Sequence, residues 1–117
     1  MGLFGRKNKL NWIDLNQEEQ LRELFEKKGN ALIFKHSTRC GISSMALSRF
    51  ESEFQEKEEL PIYMLDLLNH RSLSNLVAEL SGVRHESPQV LVLHHKELVY
   101  QASHGMINAG EINDLQL

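Results

Sequence analysis

With 117 residues, 41% of them hydrophobic and 25% charged, the chain suits a single domain built around one core. A net charge of −3 removes any global reason to bind nucleic acid or an anionic membrane. The single cysteine cannot form an internal disulfide, no stretch approaches the roughly 18 apolar residues of a membrane span, and the first nine residues lack an apolar signal-peptide core; a cytoplasmic location is expected.

In chain order, residues 1–10 are basic and aperiodic and read as a flexible arm, leaving one domain over 11–117. Trp12, Ile13 and Leu15 open an apolar lead-in. Asn16 with Glu19 three residues on has the spacing of a helix start, Leu21, Leu24 and Phe25 supply its buried face, and Lys27, Lys28 and Gly29 end it. The run Ala31-Leu32-Ile33-Phe34 predicts a buried parallel strand over about 31–36. Beyond it Ile42, Ala46, Phe50 and Phe54 recur every four residues, predicting a helix over about 41–58 whose acidic residues Glu51, Glu53, Glu56, Glu58 and Glu59 form a solvated face.

Pro61 opens a second strand over Ile62 to Leu68. Strand, helix, strand in this order is a βαβ unit, which needs a parallel sheet and a right-handed crossover, so the fold class is α/β. Leu73, Leu76, Val77 and Leu80 then mark a helix over about 72–81 that Gly82 stops. Pro88 precedes a hairpin of Gln89 to Leu93 and Leu98 to Gln101, turning at His94 to Glu97. Asn108 with Glu111 caps a short last helix carrying Ile112 and Leu115.

Cys40 therefore lies between a strand and a helix start, flanked by the polar or small residues Ser37, Thr38, Arg39 and Gly41. Unpaired N–H groups and the positive end of the helix dipole favour an anion there, and Arg39, with Lys35 and His36 secondarily, adds positive charge. In such settings thiol pKa values fall to roughly 3.5–7.5 from about 8.5, so Cys40 reads as a thiolate nucleophile. Ser43, one helical turn on, is either a hydrogen-bond donor to that thiolate or an ordinary first-turn serine. Of the six histidines, His94 and His95 are neighbours in a strand and face opposite sides, while His36, His70, His85 and His104 show no ligand spacing; all read as hydrated surface residues, and no metal site is expected.

This order of elements, with the cysteine after the first central strand and Pro88 before the third, resembles the thioredoxin fold over about residues 12–117: a central mixed sheet of about four strands flanked by about four helices. The resemblance implies a cis Ser87-Pro88 bond facing Cys40, with Ser87 and Pro88 contacting substrate. Cys40-Gly41-Ile42-Ser43 looks like a monothiol form of that fold's motif, with Ser43 in the place of a second cysteine. Thr38 to Ser43 are more closely similar to the signature of the bacilliredoxin family, small proteins sometimes labelled general stress proteins, although Gly41 stands where proline is common.

That likeness implies a cytoplasmic oxidoreductase, expected as a monomer, that removes a low-molecular-weight thiol such as bacillithiol from S-thiolated proteins. Cys40 would be the attacking thiolate, Thr38, Arg39, Gly41, Ile42 and Ser43 the supporting residues, and the small thiol a co-substrate, with no tightly bound cofactor. The Cys-Gly start also resembles monothiol glutaredoxins, which implies an alternative in which Cys40 and a small thiol hold an iron–sulfur cluster between two protomers. A thioredoxin-fold interaction module with an inert Cys40 is a third reading.

Overall fold

The computed structural model describes residues 10–117, so the arm expected at the N-terminus lies, apart from Leu10, outside the described residues. The elements run β1 (Trp12–Asp14), α1 (Glu18–Glu26), β2 (Asn30–His36), α2 (Gly41–Glu53), β3 (Ile62–Asp66), α3 (Arg71–Ser81), β4 (Gln89–His94), β5 (Glu97–Ser103), a 3-10 turn (His104–Met106) and α4 (Ala109–Asn113). The strands form one mixed sheet in the order β1-β3-β2-β4-β5. Strand β3 is parallel to β1 and β2, while β4 is antiparallel to β2 and β5.

Alternation along the strands builds two cores. Leu32 and Phe34 of β2 and Val90 and Val92 of β4 meet Phe50 of α2, Phe54 just past its end and Ile112 of α4 on one face. Ile33 and Leu91 instead meet Leu21 of α1 and Leu73 and Val77 of α3 on the other. The central strand β2 is buried on both faces, which is why its sequence is a continuous apolar run rather than an alternating one.

The sheet has one strand more than the sequence suggests. Trp12–Asp14 pairs in parallel with the first three residues of β3, and the acidic residues of α2 and the segment after it hold it there: Trp12 Nε1 donates to Glu51 Oε2 at 2.8 Å and Asn11 N to Glu56 Oε2 at 2.8 Å. Glu51 and Glu56 are thus committed to the edge strand and not merely solvated. Helix α1 begins later than Asn16: Gln17 is its N-cap, and the Gln20 side chain reaches back to accept from Asn16 N at 3.0 Å and Gln17 N at 3.3 Å.

Helix α2 stops at Glu53, short of the expected 58, because α4 closes it. Asn113 Nδ2 donates to Glu53 O at 3.0 Å and its Oδ1 accepts from Gln55 N at 2.9 Å, meeting the carbonyl and N–H that a longer helix would have used. Strand β3 ends at Asp66, whose Oδ1 accepts from Leu68 N at 3.1 Å and turns the chain two residues before the expected end. Gly82 stops α3 at φ 75°, where a side chain would be strained, and Asn108 caps α4 by accepting from Glu111 N at 3.1 Å, both as the sequence suggests.

The β4–β5 turn corrects one expectation. His95 and Lys96 both take positive φ, 49° and 77°, so His95 leaves the strand alternation and its ring lies 4.1 Å, centroid to centroid, from that of His94. His94 Nδ1 is engaged with Asn30 Oδ1 at 2.6 Å, and His95 Nδ1 accepts from Gly29 N at 3.0 Å. Among the described residues no group of three or more His, Cys, Asp or Glu is gathered as a metal would require, and no helix is long and apolar enough to cross a membrane.

Candidate active site

Cys40 is partly exposed and occupies the N-cap position of α2, at the C-terminal end of β2. The chain reaches it through a turn in which Cys40 N donates to Ser37 O at 3.1 Å. Among the described residues no side chain caps α2, so its first-turn N–H groups are left for an anion placed at the N-cap, which is what a Cys40 thiolate would be. Thr38, Arg39, Gly41 and Ile42 are all exposed around the sulfur's attachment point. Arg39 has no carboxylate partner among the described residues.

Ser43 is fully buried and does something the sequence does not reveal. Its Oγ accepts from Ser37 N at 3.1 Å and lies 2.7 Å from His36 Nδ1. The first turn of α2 is thereby tied to the last residue of β2 on the Phe34 face. With the imidazole proton on Nδ1, the Ser43 hydrogen is free to turn toward Cys40; with it on Nε2, the hydroxyl gives its hydrogen to His36. His36 is only 9% exposed, which corrects its reading as a surface histidine. Burial lowers its pKa, with Asp66 and Glu51 pulling the other way, so it is neutral at neutral pH.

Lys35, one residue earlier, points to the opposite face, toward α3 and not toward α2. It is completely buried, its Nζ lies 3.1 Å from His85 Nδ1, and Ser74 Oγ of α3 lies 3.0 Å from the same nitrogen. Lys35 therefore does not share the face on which α2 presents Cys40, as the sequence had allowed, and His85 is not a freely hydrated histidine. Burial lowers the Lys35 pKa to about 8.

The Ser87-Pro88 bond is cis, as the resemblance implies. Lys35 pairs with Gln89 across β2 and β4, so the register carried one residue further sets Pro88 opposite His36, at the end of the sheet where Cys40 stands. Beside Thr38 and Arg39 a cleft of about 460 Å³ opens, its other wall made by Leu68 and Asn69 of the β3–α3 turn. Neither residue was singled out from the sequence, where nothing marks a turn as one wall of a cleft. Ile42 and Met45 of α2 are 66% and 73% exposed, an apolar strip along the free side of the cysteine-bearing helix.

The family model described as Monothiol bacilliredoxin BrxC matches residues 13–112 of this chain. A solved structure presented as a candidate oxidoreductase with a thioredoxin fold is 31% identical, covers 86% of this chain and 88% of its own, and superposes with a TM-score of 0.74. Thioredoxin from Trypanosoma brucei brucei is 14% identical over 88% of this chain and 85% of its own, with a TM-score of 0.68. Thioredoxin from Schistosoma mansoni is 17% identical over 88% and 90%, with a TM-score of 0.64. The last two likenesses are of fold.

Proposed function

Because the chain belongs to the monothiol bacilliredoxin family and has a thioredoxin fold, both of which support a thiol–disulfide oxidoreductase-like role, we propose that it removes a low-molecular-weight thiol, of the bacillithiol kind, from mixed disulfides on cytoplasmic proteins. The observation that carries this reading is Cys40 at the uncapped start of α2, partly exposed, with no second cysteine in the chain.

The Cys40 thiolate attacks the small-thiol sulfur of the client mixed disulfide. A new Cys40–small-thiol disulfide forms, the old disulfide breaks, and the electron pair leaves on the client sulfur, which takes up a proton. A second molecule of the small thiol, as its thiolate, then attacks the sulfur of the first one bonded to Cys40, so that the Cys40–small-thiol bond breaks, the Cys40 thiolate leaves and a disulfide of two small thiols forms. The two electrons that reduce the client thus come from two molecules of small thiol, one of them the molecule originally bound to it.

The cleft beside Arg39 is the place for the small thiol. Its volume is in the range of small-molecule sites, roughly 300–1,000 Å³, and the Arg39 guanidinium, without a carboxylate partner among the described residues, suits a carboxylate. Thr38 and Asn69 add polar groups at the same walls. Ile42 and Met45 offer the client protein an apolar contact on the other side of the sulfur.

Intact mass after exposure to bacillithiol disulfide and, separately, glutathione disulfide tests the reading. The expected result is one small-thiol adduct on Cys40, formed faster with bacillithiol, removed by the free small thiol and absent from Cys40→Ser. No adduct with either disulfide would overturn it in favour of the inert module, and a purified protein coloured by iron–sulfur absorption would favour the cluster carrier.

A further inference from the structure

Lys35 is a fully buried cation with no carboxylate partner among the described residues, a costly arrangement that neither the hydrophobic core nor the Cys40 loop requires. Its contact is a histidine on the segment between α3 and β4. On the α3 face that segment, Gly82 to Pro88, meets two side chains that are neighbours across the β2–β4 pair: Lys35 reaches His85, and Gln89 Nε2 donates to Arg84 O at 3.0 Å. Ser74 of α3 joins Lys35 at His85 Nδ1. From β5 and the turn after it, Ser103 Oγ donates to Glu86 and His104 N to Pro88 O at 3.0 Å. The Ser87 Oγ and Gln89 Oε1 atoms, also buried, have no hydrogen-bond partner among the described residues.

We propose that Lys35 and His85 form a buried tether that sets the position of the Ser87–Pro88 segment beside Cys40, and that protonation of His85 releases it. This rests on the oxidoreductase reading for its consequence, substrate affinity, but not for the tether itself. The Lys35 ammonium can only donate, so Nδ1 of His85 must accept and its ring proton must be on Nε2. A proton on Nδ1 would leave the Lys35 ammonium without that acceptor and bring two cations together, while the Ser74 hydroxyl turns to accept from Nδ1.

The groups facing His85 set the pH at which this happens. Burial resists its protonation first, Lys35 and Arg71 resist it next, and Glu86 favours it. Release is therefore expected below the ordinary histidine range near 6.5. Glu86 also accepts from Ser103 Oγ at 2.8 Å and lies 3.3 Å from His104 Nδ1, so His104 is the one other histidine that bears on the segment through these contacts. Above about 8 Lys35 loses its proton, but a neutral amine still donates, so the tether is acid-sensitive rather than bell-shaped.

Lys35 and His85 are positioning residues, and the test separates that role from general stability. Hydrogen exchange of the Val83 amide and of the His104 amide, which donates to Pro88 O at 3.0 Å, is measured from pH 5 to 8 in wild type, His85→Gln, His85→Leu and His104→Gln, together with KM and kcat on a peptide carrying a bacillithiol mixed disulfide, and the alkylation rate of Cys40. In wild type, exchange corrected for its intrinsic pH dependence and KM should both rise below about pH 6.5, by about tenfold, the order expected for one charge-assisted hydrogen bond. Gln keeps an acceptor that cannot be protonated, so His85→Gln should hold the segment and flatten the profile. His85→Leu should show the released values at every pH, with Cys40 alkylation unchanged.

Segment exchange that is the same in all four proteins overturns the tether, as does an acid limb that survives in His85→Gln and vanishes in His104→Gln. Wild type that shows the exchange profile but no turnover keeps the tether and overturns the oxidoreductase reading.

Discussion

Lys35 and His36 are consecutive residues of β2, both buried and both polar, and the pleat sends them to opposite faces where they do different work. His36 is neutral and shares its bond with Ser43, pinning the helix that carries the nucleophile. Lys35 meets His85 with a charge and pins the segment across from it. The difference teaches that the Cys40 end of the sheet is braced from both sides by side chains, through a histidine–hydroxyl contact on one face and a contact that carries a cation on the other.

Removing the neutral brace should have the largest effect. Ser43→Val fills the space but leaves His36 Nδ1 and Ser37 N without the partner they have at 2.7 and 3.1 Å. Unfolding should become easier by about 2 kcal/mol or more, equivalent to a fall in Tm of about 10 °C in a scanning thermal melt. A melt unchanged within a degree would mean that Ser43 is not a brace.

Next in size is the charged brace, read through pH. Lys35 has its pKa lowered in the folded protein to about 8 from 10.5, so between those values the unfolded chain binds the extra proton and stability rises as pH rises; below 8 this group gives no slope. Urea unfolding of wild type should therefore show stability increasing by at most about 2 kcal/mol from pH 8 to 9.5, and Lys35→Met should lose that slope. The window stops short of 10 because Tyr63 and Tyr100, raised chiefly by burial, act in the opposite direction there. A slope that persists in Lys35→Met assigns it to another group.

The smallest effect belongs outside both braces. Ile42→Ser and Met45→Ser remove exposed apolar surface and should leave stability within about 0.5 kcal/mol. They should slow reduction of a protein mixed disulfide several-fold while leaving reduction of a small-thiol disulfide unchanged. Equal rates on both substrates would remove the strip from client recognition.

Much of the architecture could be read in the chain because local chemistry announces it. The doubly buried β2 is a continuous apolar run, Gly82 stands where α3 needs a positive φ, and Asn108 stands where α4 needs an acceptor. Cys40 was legible as the nucleophile candidate for the same reason, from a strand before it and a helix after it. What was hidden depends on residues far apart. Strand β1 is three residues long and is recognisable only once Glu51 and Glu56 are beside it, and α2 ends where Asn113 meets it.

His36 and His85 were misread because a histidine's burial is decided by what is folded over it, although Lys35 at the end of an apolar run was a signal that something polar must meet it inside. The His94–His95 contact was missed because the turn takes His95 out of the strand.

The Asn113 bonds that seal the far end of α2 also impose an order in time. A chain synthesised from its first residue onward exposes Cys40 long before residue 113 exists, and at about 5–20 residues per second the interval is roughly 4 to 15 s. Until α4 docks, the helix that presents the sulfur lacks its rear anchor. The nascent protein therefore carries its cysteine through that interval on a helix whose rear anchor has not yet been made.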